Sequence, residues 1–145
     1  MSAIRRAEAT WSGALAQGSG AVSAISSGAF SSLPVTWASR TEASDGRTSP
    51  EELVAAAHAS CFAMALSGTL GRAGTPPERL DVAAEVTFDK LEAGWTVTNI
   101  LLDVKGKVPK ANQAAWDKAT QAAKTGCPIS RLFNTTINMQ AKLDD

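Results

Sequence analysis

What the chain lacks narrows it first. It has only two cysteines and a single histidine. Those three side chains cannot complete a four-ligand zinc site unless carboxylates or a second chain contribute, so no metal centre is expected. The formal net charge is zero and no basic run exceeds Arg5-Arg6. Nucleic-acid binding wants a concentrated basic face and is set aside. No apolar run reads as long enough to span a membrane, so no membrane partner is expected. Met1 to Arg6 lacks the apolar core of a signal peptide, and a cytoplasmic location is the expectation. There both cysteines rest as thiols, and a disulfide between them would be transient and catalytic rather than structural. With no internal repeat and no linker, residues 1–145 read as one domain, long enough for a real core.

What is present is organised around Thr48 to Gly74. This stretch predicts one long helix. Ser49 is a good N-cap, and Pro50 occupies the first helical position, where a missing N–H costs nothing. Glu52 falls three residues after Ser49 and completes a capping box. Glu51 and Glu52 place negative charge in the first turn. Gly74, followed by Pro76 and Pro77, gives the stop. From Leu53 to Leu70 the only ionisable side chains are His58 and Cys61. A helix apolar all round should be buried all round. At 1.5 Å per residue it is about 35 Å long, as wide as a compact chain of this length, from a radius of gyration of about 15 Å. One chain can hardly cover it, so a homodimer in which two such helices pack together is expected, with Cys61 at or near the interface.

Ahead of the helix, Ala7 to Leu15 and Ala21 to Ser26 predict strands, with Phe30 and Leu33 as anchors of the loop that follows. Val35 to Ala43 predicts a third strand carrying Trp37 and Arg40, with Pro34 at its edge. Ser44 to Arg47 is a turn cluster. Beyond the helix, Leu80 to Lys90 and Trp95 to Val108 alternate as two strands about a turn at Glu92-Ala93-Gly94. Asn112 to Lys124 is an alanine-rich helix with Ala115, Ala119 and Ala122 as its packing stripe. Thr135 to Leu143 alternates as a closing strand. The fold class is α+β, mainly antiparallel sheet packed against helices.

Pro128 can open a helix, which would make Cys127 its N-cap; a thiolate there gains from free N–H groups. The plainer reading is a small apolar residue at a helix junction. Cys61 has the same duality. Buried cysteine is commonly inert, but His58 lies one turn away on the helix and Glu51 is near its start. His58 itself is either a satisfied core histidine or a base.

The segment Pro50-Glu51-Glu52-Leu53 through Ala56-Ala57-His58-Ala59-Ser60-Cys61-Phe62-Ala63-Met64-Ala65-Leu66 resembles the osmotically inducible protein C family. So does Ala123-Lys124-Thr125-Gly126-Cys127-Pro128-Ile129-Ser130. The likeness extends to the first strand around Trp11, the Gly18-Ser19-Gly20 turn and the closing strand. It is greater to the osmotically inducible branch than to the organic hydroperoxide resistance branch. The resemblance implies an intertwined α+β homodimer with central long helices and active sites at the interface. It implies a thiol peroxidase that reduces organic hydroperoxides and, less efficiently, hydrogen peroxide, with no cofactor beyond an external dithiol reductant. By motif, Cys61 is the peroxidatic cysteine and Cys127 the resolving one. Glu51 holds a catalytic arginine, for which Arg40 is the best match and Arg47 the alternative. Two other readings of the chain are a binding module for a small apolar ligand and a non-catalytic stress-associated dimer.

Overall fold

The computed structural model describes residues 1–145. The chain forms two compact units, Met1–Leu53 and Val54–Asp145, and the boundary falls in the first turn of one continuous helix.

The first unit holds β1 (Ala7–Ser12), β2 (Ser19–Ala24) and β3 (Leu33–Val35), an antiparallel sheet in that order. The stretch expected as a third strand is cut short. Residues Trp37–Thr41 are instead a short helix, α1, so Arg40 sits on a helix rather than a strand. The reason is local. The Ser39 amide donates to the Thr36 hydroxyl and the Thr36 amide to the Ser39 hydroxyl, each at 3.0 Å. This reciprocal pair is a capping box that outweighs the strand preference of Trp37 and Val35.

Helix α2 (Pro50–Arg72) starts and stops where the sequence predicts. The Glu52 amide donates to the Ser49 hydroxyl at 3.1 Å, so the N-cap is in place. The return half of the box is not: the Glu52 carboxylate accepts instead from the Thr48 hydroxyl at 2.6 Å. At the other end Gly74 has φ +79°. The Gly74 amide donates to the Gly71 carbonyl and that of Thr75 to the Leu70 carbonyl, each at 3.0 Å, which closes the helix as a Schellman motif.

Two expectations about α2 need correction. By length and composition it can cross a membrane: its most apolar 18-residue window has a mean hydropathy of 1.5. Nor is it buried all round within one chain. Only 22% of that window is buried. The buried positions past the boundary are His58, Phe62, Leu66 and Leu70, one stripe at every fourth residue, while Met64 is 69% exposed.

In the second unit α2 packs its stripe on a sheet of β4 (Arg79–Leu91), β5 (Gly94–Lys107) and β6 (Thr136–Asp144). β4 and β5 are antiparallel and β6 runs parallel to β5, the one parallel pairing in the mainly antiparallel arrangement that the sequence predicts. A parallel neighbour requires a crossover, and α3 (Gln113–Gly126) supplies it. Leu102, Val104 and Val108 meet Phe62, Leu66 and Leu70 in the core. The buried stripe of α3 is Trp116, Ala119, Thr120 and Ala123, one position round from the predicted Ala115 and Ala122. The indole decides the rotation, since burying Trp116 removes far more apolar area from water than burying alanines.

Gly106 on β5 makes room for that indole: a Cβ there would overlap the Trp116 ring and lie 3.0 Å from Leu80. Gly106→Ala is therefore expected to cost about 1–3 kcal/mol by overpacking, read as a lower urea midpoint with an unchanged slope. An unshifted midpoint would contradict this packing.

Candidate active site

The first unit builds an ion pair. Arg40 on α1 donates from Nε to both Glu51 carboxylate oxygens, at 3.0 and 3.1 Å, and from Nη2 to Oε1 at 2.8 Å. Glu51 is nearly buried at 10% side-chain exposure, and Arg40 is 32% exposed. A forked guanidinium on a carboxylate fixes the plane of both groups. The Arg40 guanidinium also lies 5.8 Å over the Trp37 ring. Of the two candidate arginines, Arg40 is thus the one paired with Glu51, while Arg47 is an exposed residue of the turn, its amide bonded to the Ser44 carbonyl. Arg40 borders a cavity of about 270 Å³ whose other walls are Trp11, Leu15, Val35, Thr36, Trp37 and Pro50. The wall is almost wholly apolar with one cation at its edge.

The second unit builds a thiol pair. Cys61 is half-buried on α2, one residue before Phe62 of the buried stripe, and Cys127 is fully buried. Both are free thiols, and they are hydrogen-bonded to each other. Cys127 is not the N-cap of an α-helix, as one reading of Pro128 expected. It is the C-cap of α3, followed by a turn and a 3-10 helix of three residues, Ser130–Leu132. α3 ends here because Pro128 cannot continue it. The electrostatic outcome nevertheless resembles the N-cap one, because that turn aims the Ser130 and Ile129 amides at the sulfur.

Burial pushes the Cys127 thiol up, but the Ser130 amide, the Cys61 thiol, the Ser130 hydroxyl and the Ile129 amide all favour the thiolate, and together they bring it below its ordinary value. Cys61 moves the other way. Burial raises it, the Ile129 amide opposes this, and the neighbouring Cys127 raises it further. The two thiols titrate as a coupled pair, with Cys127 the more readily ionised of the two. Among the influences on Cys61 in this unit only an amide favours its thiolate.

His58 is the residue the sequence left between two readings. Its ring is fully buried in the α2 stripe, edge-on to Phe133 with ring centroids 5.4 Å apart. Nε2 lies 2.7 Å from the Ser130 hydroxyl, and Nδ1 has no partner. Sequence reasoning missed Ser130. The spacing was visible, since Ser130 follows Cys127 by three residues as Cys61 follows His58, but only the fold brings the two pairs together.

Comparison with known proteins places these features. The family model described as OsmC-like protein matches residues 43–142. Peroxiredoxin OsmC of Escherichia coli (strain K12) is 39% identical over 143 residues, 99% of each chain, and Peroxiredoxin OsmC of Shigella flexneri matches equally. Among solved structures, the organic hydroperoxide resistance protein OhrB of Bacillus subtilis superposes with a TM-score of 0.71 at 21% identity, covering 96% of this chain and 98% of that one. An OsmC-like protein of unknown function from Vibrio cholerae superposes with a TM-score of 0.78 at 16% identity, covering 97% and 100%. These two share the fold. The chain belongs to the OsmC-like family. It is a cysteine-based, thiol-dependent peroxidase with a role in stress defence.

Burial lowers the His58 pKa below its ordinary 6.5. The folded chain then refuses a proton that the unfolded chain takes, so His58 has no effect on stability well above pH 6.5 and destabilises progressively as pH falls below it. His58 is the sole histidine, so its ring signals in NMR are unambiguous. They are expected to hold neutral-form shifts below pH 6.5, and the acid-side fall in melting temperature is expected to be shallower in His58→Gln. Ordinary titration of the ring near 6.5 would contradict its burial.

Proposed function

We propose that the chain reduces organic hydroperoxides, and hydrogen peroxide less efficiently, through Cys61 as peroxidatic and Cys127 as resolving cysteine. The observation that carries this reading is the contact between the two thiols. Cys61 is the more accessible of the pair, as the sulfur that must meet the peroxide should be. Its thiolate attacks the terminal peroxide oxygen. An S–O bond forms, the O–O bond breaks, and the departing alkoxide takes a proton to leave as an alcohol. Cys61 is oxidised to a sulfenic acid. The Cys127 thiolate then attacks that sulfur, and hydroxide leaves and is protonated to water, which stops further oxidation. An external dithiol restores both thiols by exchange. No cofactor enters any step.

A cation would help Cys61 to ionise, because burial and the neighbouring Cys127 push its thiol up. We assign that task to Arg40. The support is its forked bond to Glu51, which presets the guanidinium and offsets its burial, and the apolar cavity that it borders. A guanidinium so held can stabilise negative charge as the O–O bond breaks. The cavity gives the organic substituent a reason to be preferred: apolar carbon leaves water there, whereas hydrogen peroxide has none to bury.

The reading includes a homodimer, supported by the exposed apolar flank of α2 at Met64, and a reducing cytoplasm, in keeping with two free thiols. The matched family segment runs across both compact units, which supports one functional domain.

Single-turnover kinetics with an alkyl hydroperoxide test the assignments. Cys61→Ser is expected to consume no peroxide, and Cys127→Ser to consume one equivalent and stop at a sulfenic acid trappable by a carbon nucleophile. Equal residual turnover in both variants would contradict the roles. Arg40→Ala is expected to slow the first turnover by about a hundredfold and to move its pH midpoint upward, whereas Arg47→Ala leaves both unchanged. The reverse pattern would transfer the role to Arg47.

A further inference from the structure

The peroxidase reading leaves one buried titratable group without a task. His58 is fully buried, its only hydrogen bond is to Ser130, and nothing charged acts on it. Ser130 is itself buried, and its hydroxyl has a second contact, the Cys127 sulfur. The three side chains touch in succession: imidazole, hydroxyl, sulfur.

The direction of the hydrogens along that line follows from the histidine. Burial keeps His58 neutral at neutral pH, so it has one N–H to place. On Nδ1 that N–H would be a buried donor without an acceptor, because Nδ1 has no partner. On Nε2 it has the Ser130 oxygen at 2.7 Å. A bare lone pair at Nδ1 is the lesser cost, since orphaned N–H groups are the rarer defect in folded proteins. With Nε2–H donating to Ser130, the hydroxyl hydrogen is free to turn to its other neighbour. A serine hydroxyl has a single hydrogen, so what occupies its lone pair decides where that hydrogen points.

We propose that His58 is a positioning residue for the resolving thiol: its Nε2–H holds the Ser130 oxygen and turns the hydroxyl hydrogen onto Cys127, where it favours the charged form of that sulfur. The other groups that act on Cys127 are the Ile129 and Ser130 amides and, from α2, the Cys61 thiol. The two amides are fixed backbone. Cys61 ceases to be a thiol donor once it is oxidised, so Ser130 is the side chain left to stabilise Cys127 at the moment of resolution. No redox partner is added; the step remains attack of the Cys127 thiolate on the sulfenic sulfur with loss of hydroxide. This rests on the reading of Cys127 as the resolving cysteine.

The test has two arms. In a Cys61→Ser background, where Cys127 is the sole cysteine, its ionisation is followed by thiolate ultraviolet absorbance. Ser130→Ala and His58→Ala are expected to raise its midpoint similarly, by about one pH unit, equivalent to roughly tenfold in the ionisation constant. His58→Gln, whose amide nitrogen can donate where Nε2 does, is expected to recover most of the shift. An unmoved midpoint in Ser130→Ala, which removes one oxygen and should fold, overturns the proposal, as does a His58→Gln variant no better than His58→Ala. In the two-cysteine protein, a hydroperoxide pulse is expected to form the sulfenic acid at the parent rate in Ser130→Ala but the disulfide about tenfold more slowly below neutral pH. If the parent protein forms no Cys61–Cys127 disulfide, the resolving role fails, and the first arm still decides whether His58 and Ser130 set the Cys127 ionisation.

Discussion

A contact between two sulfurs is what the rest of the second unit serves. α2 brings one and the junction after α3 brings the other, and neither position is free to drift. The stripe His58, Phe62, Leu66 and Leu70 fixes the rotation of α2 against the core. Cys61 therefore lies about 100° round from its neighbour Phe62, which leaves it half-buried rather than enclosed. On the other side Trp116 locks α3 into the same core, and Pro128 ends the helix at Cys127. A one-position rotation of α2 would carry Cys61 away from its partner, which is why a fully packed stripe matters to the chemistry and not only to stability.

The electrostatics divide the labour of the two thiols. Ile129, Ser130 and Cys61 all lower Cys127, and burial with Cys127 beside it raises Cys61. A pair of this kind cannot carry two charges cheaply. Cys127 is pushed towards the thiolate and Cys61 towards the thiol. In the first unit Glu51 holds the Arg40 guanidinium in a fixed plane. An inert core cysteine would need none of this apparatus.

Much of this was legible in the sequence, and the limits have physical causes. The caps of α2 could be read because Ser49 and Gly74 act within one turn of themselves. The two cysteine motifs, with Glu51 and His58 beside the first, identified the family before any fold was in hand. Residues 37–41 were misread as strand because Trp37 and Val35 favour extended chain, while the deciding Thr36–Ser39 capping box is a four-residue pattern easily hidden within an apolar run. The parallel pairing of β6 was not legible, because register between β5 and β6 is settled across α3 and not within either strand. Ser130 could be quoted in a motif but not given a task, since its meaning depends on a histidine far away in the chain.

The most direct test of the account is the mass of the intact protein. The reduced wild-type chain is freed of reductant and given slightly less than one equivalent of an alkyl hydroperoxide. A rapid loss of two hydrogens is expected, with a single cross-linked peptide joining Cys61 to Cys127 after digestion. Two thiols that persist through minutes of exposure, or an oxygen retained on Cys61 while Cys127 stays reduced, would contradict it.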